Sequence, residues 1–102
     1  MSITSKQRAQ LRSLAQNLEV VVQVGKGGVT PNVVTSAEQA LTARELIKCR
    51  VLENSLLTAR EACDELAAAC RAEQIQVIGT RFVLYRRNDK KPVIILAKEK
   101  KI

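Results

Sequence analysis

VVVQVGKGGVTPNVV, residues 20–34, is the stretch that decides the fold. Val20 to Val24 form a β-branched run interrupted only by Gln23, too short for a helix and bounded by Gly25, so the run reads as a strand. Gly25-Lys26-Gly27-Gly28 then breaks the chain. Thr30 followed by Pro31 is an N-cap with proline at the first helical position, and Val33, Val34, Ala37, Ala40 and Leu41 continue at helical spacing. A strand that passes through a glycine turn into a helix is the first part of a strand–helix–strand unit. Residues 46–53, LIKCRVLE, complete it: Ile47, Cys49 and Val51 share one face, while Lys48 and Arg50 share the other, half-exposed one.

Working outward, Thr4 with Gln7 three residues on is a capping-box pattern, and Leu11, Leu14, Ala15 and Leu18 recur behind it, predicting a helix over about residues 5–17. Its apolar stripe leaves Arg8 and Arg12 one turn apart on another face, with Lys6 close by: a basic stripe. Thr58 with Glu61 opens a third helix over about residues 59–72 in the same way. Ile75–Ile78 and Phe82–Arg86 are β-rich runs separated by Gly79, Thr80 and Arg81, a hairpin spacing. Asn88–Pro92 is a further turn, Val93–Leu96 reads as one more short edge strand, and Lys98–Lys101 as a frayed tail. The order is helix, strand, helix, strand, helix, strand, strand. This predicts an α/β (α+β) two-layer sandwich with a small mixed four-stranded sheet. Right-handed crossovers put their helices on one sheet face and leave the other partly open, lined by Lys48 and Arg50. One domain is expected over residues 1–97, with a basic tail at 98–102.

Composition narrows the function. The chain has 102 residues, 46% hydrophobic and 26% charged, as an ordinary globular domain has. One Phe, one Tyr and no Trp leave an aliphatic core and few rings on which to stack bases. The absence of His removes the commonest general base, metal ligand and partner of a catalytic Ser or Cys. No catalytic site, metal site or cofactor is predicted. Cys49, Cys63 and Cys70 are an odd set without a C-x-x-C, and read as buried thiols suited to a reducing compartment. The longest apolar runs, Leu66–Cys70 and Val93–Ala97, fall far below the ~20 residues of a membrane span, and no secretory signal is visible, so the expectation is a cytoplasmic protein.

The net charge of +7 points to a polyanionic partner. The excess sits at the two ends: residues 1–28 carry Lys6, Arg8, Arg12 and Lys26 against Glu19 alone, residues 81–102 carry eight basic groups against Asp89 and Glu99, and the middle is slightly acidic. If one face binds, the two ends meet in space.

The glycine cluster fails both nucleotide fingerprints. A dinucleotide-binding G-x-G-x-x-G starting at Gly25 needs glycine where Thr30 stands, and a P-loop needs G-K-S/T at its end. What remains is a G-x-x-G in which glycines let backbone approach a sugar-phosphate chain, Lys26 supplies charge and the following helix offers its positive end. Spacing alone favours a plain strand-to-helix turn, because glycine-rich turns before helices are common. Lys48, Arg50, Arg81, Arg86 and Arg87 fit either an interface or solvated strand charges, and Tyr85 reads as half-buried packing more readily than as a stacking ring.

GKGGVT at 25–30 behind VVVQV, ELIKCRVLEN at 45–54, QVIGTRFVLYR at 76–87 and the opening TSKQRAQLRSLAQNL at 4–18 together closely resemble the YhbY family, the free-standing bacterial and archaeal form of the chloroplast RNA splicing and ribosome maturation (CRM) domain. The resemblance covers almost the whole chain. It departs only at Val29, where Leu is usual, and after Pro92. It implies a fold similar to the C-terminal domain of translation initiation factor three and an RNA-binding G-x-x-G loop likened to that of KH domains. It also implies a partner in ribosomal RNA or precursors of the large ribosomal subunit. By position it assigns RNA contacts to Gly25, Lys26 and Gly28, with Lys6, Arg8 and Arg12 flanking them. Together with Gly27, Lys48, Arg50 and Arg86 these are the expected RNA-binding residues of a non-enzymatic, monomeric protein that takes no small-molecule substrate and binds no membrane. The competing reading is a small basic protein-interaction module that docks acidic partners through residues 81–102.

Overall fold

The computed structural model describes residues 3–94 and 96. Its elements are α1 (Ser5–Ala15), β1 (Val20–Val24), α2 (Pro31–Arg44), β2 (Leu46–Val51), α3 (Ala59–Cys70), β3 (Glu73–Ile78) and β4 (Arg81–Tyr85), in the order the sequence predicts. The expected residues start each helix. The Thr4 and Thr58 hydroxyls accept from the Gln7 and Glu61 amides at 3.1 Å, and the Gln7 and Glu61 side chains accept in return from the Thr4 and Thr58 amides. Thr30 Oγ1 accepts from Val33 N at 3.2 Å, with Pro31 in the first turn. Each such cap stabilises its helix by ~1 kcal/mol.

Helix ends fall earlier than the periodicity suggests. The amides of Gln16, Asn17 and Leu18 turn back onto Ser13, Leu14 and Ala15, a tightened turn that closes α1 at Ala15 rather than at 17 and lets Leu18 pack beneath it. Arg71, left-handed at φ 54°, closes α3 at Cys70 rather than at 72.

The strands lie in the order β1-β2-β4-β3, with β1 and β2 parallel and the other two pairs antiparallel. Crossover α2 joins the parallel neighbours, whereas α3 carries the chain past the place that β4 later fills. Both pack on one sheet face. There Val22, Val24, Ile47, Cys49, Phe82 and Leu84 meet Ala37 and Leu41 of α2 and Ala62, Cys63, Leu66 and Cys70 of α3. The small residues of α3 let it sit close to the sheet, and no aromatic beyond Phe82 is needed to fill the space. On the opposite face α1 lays Leu11 and Ala15 over Leu46, Ile75, Val83 and Tyr85. It covers the half of that face near Leu46 and Tyr85 and leaves bare the half that carries Lys48 and Arg50.

Val93 and Ile94 form no edge strand. Both donate their amides to Glu45 Oε1 at 2.6 Å, and Asn88 N donates to Glu45 Oε2 at 2.6 Å. Glu45 is the single residue between α2 and β2, fully buried and held at φ 65°. Its own amide reaches Leu41 O at 2.8 Å, and its carbonyl accepts from Arg86 N at 2.8 Å. Five hydrogen bonds thus over-determine a conformation that ordinarily costs ~1–3 kcal/mol, and they moor the segment after β4 to the end of α2. Ile95 and the tail at 98–102 lie outside the described residues. No helix among the described residues is long and apolar enough to cross a membrane.

Candidate nucleic-acid interface

Strand directions bring three turns to one end of the sheet: Gly25–Gly28 after β1, residues 52–58 after β2, and Gly79–Thr80 before β4. Backbone bonds tie them together, Leu52 N to Val24 O at 2.9 Å and Val51 N to Thr80 O at 2.8 Å. Within the glycine loop, Gly28 N donates to Gly25 O at 3.0 Å and Thr30 N to Gly28 O at 3.0 Å, closing a tight turn directly ahead of α2. Gly28 sits at φ +72°, the left-handed region that glycine occupies without cost, and a Cβ there would stand 3.4 Å from Leu57 Cδ1. Lys26 and Gly27 are exposed at the tip, so backbone is presented to solvent beside one cation and the positive end of a fourteen-residue helix.

Beside the loop, the bare half of the sheet carries a row of paired positions: Gln23 opposite Arg50, Arg50 opposite Arg81, Arg81 opposite Ile78. Lys48, next along β2 on the same face, lines a groove of about 270 Å³ with Ala15, Gln16, Gln76, Ile78 and Arg81. The side chains of Lys48, Arg50 and Arg81 make no hydrogen bond or ion pair with any described residue. The ion pairs among those residues are Arg86 with Glu38 at 2.6 Å and Arg87 with Asp89 at 3.6 Å. Two arginines directly opposite each other on antiparallel strands repel, an arrangement that costs stability unless an anion lies between them. Arg50 is one strand away from Gln23, which precedes Gly25 by two residues, so the cationic row is continuous with the glycine loop.

Two predicted contacts have other duties. Arg8 turns inward: its Nη1 donates to the carbonyl of Gln74 and, at 3.5 Å, to that of Ile75, where the register of β3 shifts at a bulge. β3 is the edge opposite β1, three interstrand spacings of about 4.8 Å from the strand that carries the loop. The stripe on α1 therefore does not flank the loop as a unit. Arg8 pins the helix, while Lys6 and Arg12 are exposed. Arg86 is also internal. It donates to Glu38 Oε2 at 2.6 Å, Cys70 O at 3.0 Å, Glu38 O at 3.3 Å and Thr42 Oγ1 at 3.0 Å, so its guanidinium joins α2, α3 and the end of β4. Its acidic partner lies 48 residues away, beyond the reach of local charge counting.

Tyr85 belongs to the core and is 1% exposed, which removes it as a stacking ring; burial, then the nearby Glu45 carboxylate, pushes its hydroxyl pKa up. The three thiols are free and buried. Burial pushes Cys49 to about 12 and Cys63 and Cys70 to about 11, so none supplies a thiolate near neutrality. No group of three His, Cys, Asp or Glu side chains among the described residues could hold a metal ion. Sequence reasoning left Arg81 undecided and passed over Leu56, which stands 88% exposed beside the glycine loop. A two-residue hairpin turn at Gly79-Thr80 was the signal for Arg81, since it sets the register opposite Ile78; Leu56 had none.

Residues 3–86 match the model of the CRS1/YhbY (CRM) domain. The chain is 41% identical over 86 residues to the Probable RNA-binding protein YqeI of Bacillus subtilis, covering 84% of this chain and 90% of that protein. Over 109 residues it is 36% identical to the Probable RNA-binding protein MJ0652 of Methanocaldococcus jannaschii, covering 98% of this chain and 81% of that one. The solution structure of the hypothetical protein SAV1595 from Staphylococcus aureus, proposed to bind RNA, superimposes with a TM-score of 0.78 at 40% identity. The match covers 94% of this chain and 100% of that one.

Proposed function

The chain belongs to the CRS1/YhbY (CRM) domain family, and on that premise we propose that it is a non-enzymatic RNA-binding protein acting on ribosomal RNA or large-subunit precursors in the cytoplasm, as a monomer. The observation that carries the reading is the row of unpaired cations, Lys48, Arg50 and Arg81, running into the Gly25–Gly28 loop. A phosphate backbone relieves the repulsion between Arg50 and Arg81 and fits the open backbone of the loop, whereas a globular protein surface gains little from a glycine turn. Lys26 at the tip of the loop adds to that charge, and Lys6 and Arg12 of α1 are exposed. The relatives' names support RNA as the partner; the ribosomal target rests on the resemblance of the four sequence blocks to the family.

Crosslinking in cells followed by sequencing of the attached RNA tests the target, with enrichment of large-subunit ribosomal RNA as the expected outcome. Retention on structured RNA against an acidic protein resin at matched salt tests the class of partner. Stronger retention on the acidic resin would favour a protein-docking module in place of an RNA binder.

A further inference from the structure

The loop after β2 holds an apolar side chain out into water beside the glycine turn. Ser55 N donates to Leu52 O at 3.0 Å and Leu57 N to Ser55 Oγ at 3.1 Å, a closed turn in which Leu57 packs onto the main core and Leu56 points away from it. Leu56 and Leu57 form one wall of a groove of about 290 Å³, whose other sides are Lys26, Gly27–Val29 and Glu65 of α3. Lys26 and Glu65 line the same groove yet form no ion pair with each other. A cation and a carboxylate separated by apolar surface suit an occupant that is itself anionic at one end, flat and apolar in the middle, and a hydrogen-bond donor at the other.

We propose that this groove takes a single unstacked nucleotide of the bound RNA, with its phosphate on Gly25–Gly28 and Lys26, its base against Leu56 and Leu57, and an exocyclic amino group donated to Glu65. This deepens the RNA-binding reading and rests on it. The groove is open to solvent and, at about 290 Å³, lies just under the ligand-pocket range of about 300 to 1,000 Å³, a size that suits one nucleotide. Bases splayed from loops and bulges are what sequence-selective RNA binders reach. A carboxylate acceptor placed for an exocyclic amino group favours cytosine, adenine and guanine over uracil, whose donor is the ring N3–H alone.

The test uses the full chain and three RNA hairpins of equal length: one with a bulged cytidine, one with a bulged uridine, one fully paired. The wild-type protein should bind the cytidine bulge about 5-fold more tightly than the paired hairpin, and the uridine bulge in between. Leu56→Ala should bring all three within about twofold of one another, Leu56→Met should keep the preference, and neither should change the salt dependence, which reports phosphates. Glu65→Gln should equalise cytidine and uridine while leaving the preference for a bulge. Because Leu56 and Glu65 are exposed, these variants should keep the wild-type melting temperature, which circular dichroism checks. Wild-type discrimination among the hairpins that survives Leu56→Ala, or no discrimination by the wild type, overturns the groove assignment. Failure to bind any hairpin at low salt overturns the RNA-binding reading itself.

Discussion

Replacing Gly28 by Asp separates the fold from the interface. In the folded state the residue must keep φ near +72°, which costs a side-chain-bearing residue ~1–2 kcal/mol, toward the lower end for Asp because it enters the left-handed region more readily than most. The new Cβ would lie 3.4 Å from Leu57 Cδ1, the end of a side chain able to give by a few tenths of an ångström, so the steric addition is small. Against this, a carboxylate just ahead of α2 meets the positive end of the helix and regains ~0.3–1 kcal/mol. The net destabilisation is then ~1 kcal/mol, a drop in melting temperature of about 4–8 °C for a domain of this size. For binding the balance is different. A carboxylate about 4 Å from a phosphate is repelled by ~1 kcal/mol in fully aqueous surroundings and ~4 kcal/mol at an effective dielectric constant of ~20. Affinity should fall by at least about fivefold at low salt, with part of the loss recovered as salt is added. Gly28→Asn, with the same shape, tolerance of positive φ and no charge, should lose much less. Melting followed by circular dichroism and RNA titration by fluorescence anisotropy read the two effects. A folded Gly28→Asp protein with wild-type RNA affinity would refute the placement of a phosphate on this loop.

Arg8→Ala should lower the melting temperature, since two β3 carbonyls lose their partner, while Arg12→Ala should leave stability alone and weaken RNA binding; the reverse ranking in paired melting and binding assays would return Arg8 to the interface. Glu45→Ala leaves the amides of Asn88, Val93 and Ile94 without their acceptor and should cost ~2–4 kcal/mol in urea unfolding, with hydrogen exchange accelerated at those amides first. The thiols set a pH dependence. Folded pKa values of about 12 for Cys49 and about 11 for Cys63 and Cys70 exceed the unfolded value of 9.0, so the unfolded chain loses protons first and stability falls as pH rises above 9. Cys49→Val should flatten that decline by up to ~1.4 kcal/mol per pH unit in denaturation curves from pH 9 to 11.

The elements were legible because their signals are local: Thr-Pro and two Thr-x-x-Gln/Glu boxes start the helices, and alternation from Ile47 to Val51 marks the central strand. The glycine loop announced itself by composition, and the register of β2 carried Lys48 and Arg50 to the face expected of them. Long-range pairing stayed hidden. Nothing near Arg86 in the chain indicates Glu38, Cys70 and Thr42 as its partners, and nothing near Arg8 indicates the carbonyl 66 residues on to which it donates. A run such as Val93–Leu96 looks like a strand in isolation. Its first two amides serve Glu45 instead, because a buried carboxylate at the α2–β2 junction requires donors and this segment is the one that reaches it. Charge alone also did not distinguish structural arginines from free ones: Arg8 and Arg86 find acceptors far along the chain, whereas the side chains of Arg50 and Arg81 find none among the described residues.

The salt dependence of RNA affinity, measured for the wild type and for a Lys48→Gln/Arg50→Gln/Arg81→Gln variant, tests the interface most directly. If Lys26, Lys48, Arg50 and Arg81 of the loop and sheet and the exposed Arg12 each meet a phosphate, the logarithm of the wild-type binding constant should fall against the logarithm of salt concentration with a slope of about −4. Removing three of them should bring the slope to about −1.5 and leave the melting temperature unchanged or raised, since the repulsion between Arg50 and Arg81 disappears. A wild-type slope near zero, or a variant whose slope matches the wild type, would contradict an RNA interface built on the bare half of the sheet.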